Sequence, residues 1–195
     1  MKKLNFIALA IIGLYACLNF SSCKKDDDGP NISLMKGVWD NGKELNPSEG
    51  NGDRGSMLIT DNVWLWEDSA KLLWTYRNAS FEELAKHFAP DVNFCIYRYD
   101  NEKDVYILYE SCDFINGELN FYTDWFLVAK VNISNETMHL ELYYVTTKES
   151  FTPDELPLIQ TVTYKELMND DKYAILPNNI DLGNPDYITY TRYKQ

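Results

Sequence analysis

The stretch VNFCIYRYDNEKDVYILYESCDFINGELNFYT, residues 92–123, decides the fold. Residues 92–99 and 105–115 are runs of aromatic and β-branched side chains, the types that suit a pleated, half-buried surface. Asp100-Asn101-Glu102-Lys103 between them marks a hairpin. Asn116-Gly117 follows, the pair that best adopts the positive backbone angles of a type I′ turn, and it joins the long second run to a third strand over 119–123. Residues 125–133 and 138–146 form a further pair around 134–137. Strands joined this closely must run antiparallel, because a parallel crossover needs a dozen or more residues. With the loop at 100–103, Tyr99 faces Asp104 and Cys95 faces Leu108. Cys112 then faces Asp91, about 13 Å from Cys95 and beyond the roughly 7 Å Cα limit of a disulfide, which predicts two free thiols.

Working upstream, residues 57–60, 63–66 and 71–77 read as shorter strands, and residues 34–39 and 187–193 as strands at the two ends of the body. One helix is expected. Ser80 is followed three residues later by Glu83, a capping box; Phe81, Leu84, Ala85 and Phe88 supply an apolar stripe, and Pro90 stops the element. A second helical turn is signalled at Thr152-Pro153-Asp154-Glu155 and cut short by Pro157. Residues 151–186 are otherwise poorly patterned and read as an excursion before the last strand. Alternate side chains of a strand share a face, so Trp64 and Trp66 lie together, as do Leu72, Trp74 and Tyr76. Pairing of those two strands across 67–70 would merge them into one aromatic patch, which could line an apolar cavity, form a stacking platform for sugar rings, or serve as core.

The first 28 residues are an address. Lys2 and Lys3 lead into the apolar run 6–18, then come Ser21, Ser22 and Cys23, and then Lys24, Lys25, Asp26, Asp27 and Asp28. A charged start, a short apolar core and small residues before a cut make a secretory signal, and the core is too short to span a bilayer. Small residues directly before a cysteine resemble the lipobox of bacterial lipoproteins, which implies cleavage before Cys23 and acylation of that residue. The Lys-Lys-Asp-Asp-Asp run resembles the charged export signal of Bacteroidetes lipoproteins and implies an outer-membrane, cell-surface location. The expected division is a signal peptide over 1–22, an acylated, charged flexible tether over 23–33 and a β-rich domain over 34–195.

Residues 1–22 hold two lysines and no acid, so their removal takes the formal charge of -12 to -14. A body this acidic is repelled by phosphate, which excludes nucleic acid as a partner and leaves membrane attachment to the lipid. Two buried acyl chains already anchor stably. The catalytic inventory is thin. His87 and His139 are the two histidines, neither at a zinc-ligand spacing, and neither a Gly-x-Ser-x-Gly elbow nor a glycine-rich phosphate loop occurs. The acidic groups 100–104 and 181–186 lack the spacing of a calcium loop and read as solvated turns. The chain is therefore expected to be no enzyme and to need no cofactor or metal. Asp68-Ser69-Ala70 resembles the site at which Bacteroidetes attach O-linked glycans, which makes Ser69 a glycosylation candidate.

A nine- or ten-stranded meander must hide its edges, and closing into a barrel does so most completely. Gly37-Val38-Trp39 resembles the Gly-x-Trp of the lipocalin superfamily, and Arg192 in the last strand stands where that family places an arginine over the tryptophan ring. The resemblance implies a mainly β, lipocalin-like barrel closed by the pair Trp39 and Arg192, with one short helix. The alternative is an α+β curved sheet on a helix, the cone-like NTF2 arrangement. The implied function is binding of a small apolar ligand or a glycan, with Trp64, Trp66, Trp74 and Tyr76 as candidates. A structural or interaction module engaging another envelope protein is the alternative.

Overall fold

The computed structural model describes residues 32–42, 55–89, 94–147 and 161–195. Ten strands form one antiparallel sheet: β1 (Gly37–Asp40), β2 (Ser56–Ile59), β3 (Val63–Glu67), β4 (Phe94–Asp100), β5 (Val105–Ile115), β6 (Glu118–Tyr122), β7 (Trp125–Ser134), β8 (Thr137–Thr146), β9 (Thr161–Thr163) and β10 (Asp186–Arg192). Eight of them, β1-β2-β3-β4-β5-β7-β8-β10, pair in that order, and β10 pairs back onto β1, so these eight strands close into a lipocalin-like barrel. The mainly β meander expected from the sequence is this barrel, and the curved sheet packed on a helix is not formed.

Residues 106–108 of β5 pair with 127–129 of β7, while its far end, 111–115, pairs with β6. A bulge lies between Ser111 and Asp113, and β6 then takes β9 as its second partner. The β5–β6 hairpin thereby leaves the barrel wall as a flap, tipped by Asn116 and Gly117, both at positive φ as a type I′ turn requires.

Alternation divides the apolar side chains into two cores. The inward set, Trp39, Met57, Trp64, Trp66, Tyr97, Tyr106, Leu127, Leu140 and Tyr190 among others, fills the barrel. The outward set, including Val38, Leu58, Leu65, Phe94, Ile107 and Phe121, packs under helices laid on the outer wall. Fully burying each large side chain contributes on the order of 1.5–3 kcal/mol.

The helices are more numerous than the single one expected: α1 (Ile32–Met35), α2 (Ala70–Tyr76), α3 (Phe81–Phe88), α4 (Tyr164–Asn169) and a 3-10 turn at Asp171–Ala174. The segment 34–39, expected as a strand, is the end of α1 followed by β1. The expected strand over 71–77 is α2. Ser69 caps it by accepting from the Leu72 N–H, and Ala70, Leu73 and Trp74 fall at helical spacing; Ala70 and Leu73 are buried, and Trp74 packs at the same core. α3 carries the capping box read from Ser80 and Glu83. The helical turn expected at 152–155 lies outside the described residues.

The β4–β5 register is two residues longer than expected: Cys95 faces Glu110 and Tyr99 faces Tyr106. Asp104 joins the turn in a left-handed conformation at φ +54, which moves the first strand pair out to Asp100 and Val105. Neither Cys95 nor Cys112 is in a disulfide, as expected.

The excursion before the last strand is tied to the barrel by two charged residues on the outer face of β4. Arg98 donates to the carbonyls of Leu167 and Met168 at the end of α4, where a cation also complements the helix dipole. Asp100, 2% exposed, accepts from the backbone N–H groups of Glu102, Lys103 and Leu176.

Candidate functional site

The barrel axis is occupied by side chains. Trp64 lies 5.9 Å from Trp66 and 6.1 Å from both Tyr97 and Tyr106, ring centroid to centroid, in tilted and edge-on arrangements. Trp66 reaches past β2 and β1 to donate its indole N–H to the hydroxyl of Tyr190 on β10, at 3.1 Å. The Tyr97 hydroxyl donates to the carbonyls of Thr60 and Asp61. Edge-to-face pairs each contribute about 0.5–1.5 kcal/mol beyond area burial, so this cluster is a rigid core.

One end of the barrel is sealed. Trp39 donates its indole N–H to the Met35 carbonyl at 2.7 Å, fixing α1 across the end, and Arg192 lies over the other side of that ring at 4.1 Å. The guanidinium also donates to the carbonyls of Leu34, within α1, and of Lys36, just after it. Gly37 takes φ +127, a backbone angle that side-chain-bearing residues rarely adopt, and a Cβ there would also come 2.8 Å from the Arg192 guanidinium.

The opposite end is different in character. The registers Leu127 to Tyr144 and Trp125 to Thr146 place Trp125 and Tyr144 on the inward side of their strands, yet they are 44% and 37% exposed. Glu110 on β5 and Asp186 on β10 face inward at the same rim, paired with Cys95 and Leu142. Oδ2 of Asp186 is buried there without a hydrogen-bonding partner, an acceptor open to a donor. Burial and the neighbouring Asp113 push the Cys112 thiol up, so it is a poor nucleophile.

A groove of about 250 Å³ lies on the outside of β7, β8 and β10. Cross-strand pairing arranges its outward side chains as two rows, Lys130–Glu141–Tyr187 and Asn132–His139–Thr189. His139 Nδ1 is 3.2 Å from the Thr189 hydroxyl, and the Tyr143 hydroxyl donates to Glu141 at 2.8 Å. Burial and that carboxylate push the Tyr143 phenol up to about 12. Lys130 sits over the Tyr143 ring at 5.4 Å.

The four aromatic candidates separate. Trp64 and Trp66 are inside the barrel, whereas Trp74 and Tyr76, on α2, pack outside it. Trp74 meets Tyr193 at 5.8 Å, and Tyr76 stacks on His87 at 4.5 Å. They do not form one patch, because α2 places a helix where pairing across 67–70 needed a strand. Ser69 is exposed at its cap position. Cys23 lies outside the described residues. The rim and the groove escaped sequence reading because cross-strand register assembles both.

Among the described residues no group of three or more His, Cys, Asp or Glu is placed to hold a metal, and no helix is long and apolar enough to cross a membrane. Comparison with known proteins returns no matching family model, no matching curated protein and no matching solved structure.

Proposed function

We propose that this chain is an outer-membrane lipoprotein, anchored through Cys23 and exposed at the cell surface, whose barrel binds a ligand at its surface rather than in a deep cavity. The lipobox-like Ser21-Ser22-Cys23 and the charged run after it support the address. Cys23 precedes α1 in the chain, α1 lies on the sealed end, and the rim with Trp125 and Tyr144 lies at the opposite end of the barrel.

The observation that carries the binding reading is the contrast between the two ends. Side chains fill the interior and the sealed end, while large aromatics stay exposed at the rim beside inward-facing carboxylates. A filled interior disfavours a small apolar guest and favours a polar one such as a glycan, since aromatic faces stack on sugar rings and carboxylates accept their hydroxyls. The test is extraction of the protein with its anchor from native membranes, followed by mass spectrometry of whatever leaves it on denaturation. A recurrent carbohydrate is the expected result. Recovery of an envelope protein in fixed ratio and no small molecule would replace this reading with an interaction module.

A further inference from the structure

We infer that the outer wall of β7, β8 and β10 is a binding platform for a neutral oligosaccharide, with Tyr187 as its stacking ring. The inference rests on the reading that the barrel binds a glycan at its surface, and it adds to the rim a second surface, on the outer wall, with its ligand class. Tyr187 is 77% exposed, the highest value for any large apolar side chain among the described residues, and it lies at the edge of a groove rather than on a convex surface. A tyrosine left in water on the strand that closes the barrel gains nothing from folding, so it is available to a ligand.

The remaining lining supplies donors and acceptors. Asn132 offers an amide, Thr189 a hydroxyl, His139 a ring nitrogen, Glu141 a carboxylate and Lys130 an ammonium. Contacts within the wall hold several of them in place: Glu141 by the Tyr143 hydroxyl, His139 by Thr189, and Lys130 over the Tyr143 ring. Groups fixed before binding lose little freedom on binding. The platform lies on three strands paired over most of their length and so is rigid.

Charge selects the class. The chain carries -12, yet the two rows hold one ammonium and one carboxylate, on residues that face each other across β7 and β8, so their charges sum to zero. A locally neutral, hydrogen-bonding groove beside one exposed ring suits a neutral sugar chain. It lacks the apolar centre of a protein interface and the cationic excess that an anionic polymer needs.

The full-length protein, purified with its anchor in detergent, would be titrated calorimetrically with cellohexaose, chitohexaose, maltohexaose and hexagalacturonate. At least one neutral hexasaccharide should bind, more tightly than the anionic one. Tyr187→Ala should weaken that binding about tenfold or more, and Asn132→Ala to a lesser extent, with the unfolding midpoint unchanged because both side chains are exposed. Phe114→Ala, which removes another exposed ring on the β5–β6 flap, should leave it intact. Failure of all three neutral sugars to bind, or preference for hexagalacturonate, overturns the platform. Binding lost in Trp125→Ala but kept in Tyr187→Ala also overturns it and leaves the broader reading standing with its site at the rim.

Discussion

Arg192 lies over Trp39 with its guanidinium carbon 4.1 Å from the ring centroid, and the two residues are direct partners in the ladder between the first and last strands of the barrel. The contact joins the seam that closes the sheet to the helix that seals its end, because the same guanidinium donates to carbonyls of residues 34 and 36.

Replacing Arg192 with Ala should therefore destabilise the domain by about 1–3 kcal/mol, combining a cation–π contact with charge-assisted hydrogen bonds. Arg192→Lys should recover only part, since an ammonium lacks the planar fork that reaches the ring and two carbonyls together. Urea unfolding of the three proteins measures it. Gly37→Ala should cost a similar amount, because the added methyl meets the guanidinium at 2.8 Å and the backbone there is at φ +127.

The interior aromatic cluster should behave as core. Trp64→Ala should cost about 3–5 kcal/mol, the usual loss for a large buried side chain whose cavity cannot collapse. Trp66→Phe should cost less, about 1–3 kcal/mol, since it keeps much of the packing but leaves the Tyr190 hydroxyl without its indole donor. Thermal unfolding monitored by near-UV circular dichroism reads both.

Arg98 and Asp100 should control the segment 161–176. Arg98→Met removes the donor to Leu167 and Met168, and Asp100→Asn weakens the acceptor of the Leu176 N–H. Either change should speed amide exchange in α4 and the 3-10 turn well before it affects the barrel strands, as hydrogen exchange by mass spectrometry would show.

Acid should loosen α3 and α4 together. The Ser80 N–H and hydroxyl hold the Glu83 carboxyl below its ordinary 4.5, and Thr163 does the same for Glu166. A depressed folded pKa means the stabilisation is complete above 4.5 and is lost as pH falls through the lower folded value. Both carboxylates are exposed, so the effect is small. Double replacement Glu83→Gln and Glu166→Gln should flatten the decline of the unfolding midpoint between about pH 5 and 3.

The strands were legible because β5 and its neighbours are aromatic and β-branched throughout, and polar or Asn-Gly breaks separate them. α2 was not, because Leu72, Trp74 and Tyr76 alternate as a strand does, while its helical stripe is Ala70, Leu73 and Trp74, with Ser69 as the cap. The Thr163-x-x-Glu166 box that starts α4 was present in the sequence, hidden beside an unpatterned stretch. The turn at Asp104 shifted a register by two because a non-glycine residue took a left-handed conformation. The pairing of Trp39 with Arg192 was readable through resemblance alone. The outer wall was not readable at all, since Lys130, Glu141 and Tyr187 become neighbours only through two strand registers.

Native mass spectrometry of the protein extracted from its own membranes tests the proposed function most directly. The expected species begins at Cys23, carries acyl chains on that residue and releases a carbohydrate on activation. A species beginning at Met1 or lacking acyl mass, and holding no small molecule, would contradict both the anchor and the ligand-binding barrel.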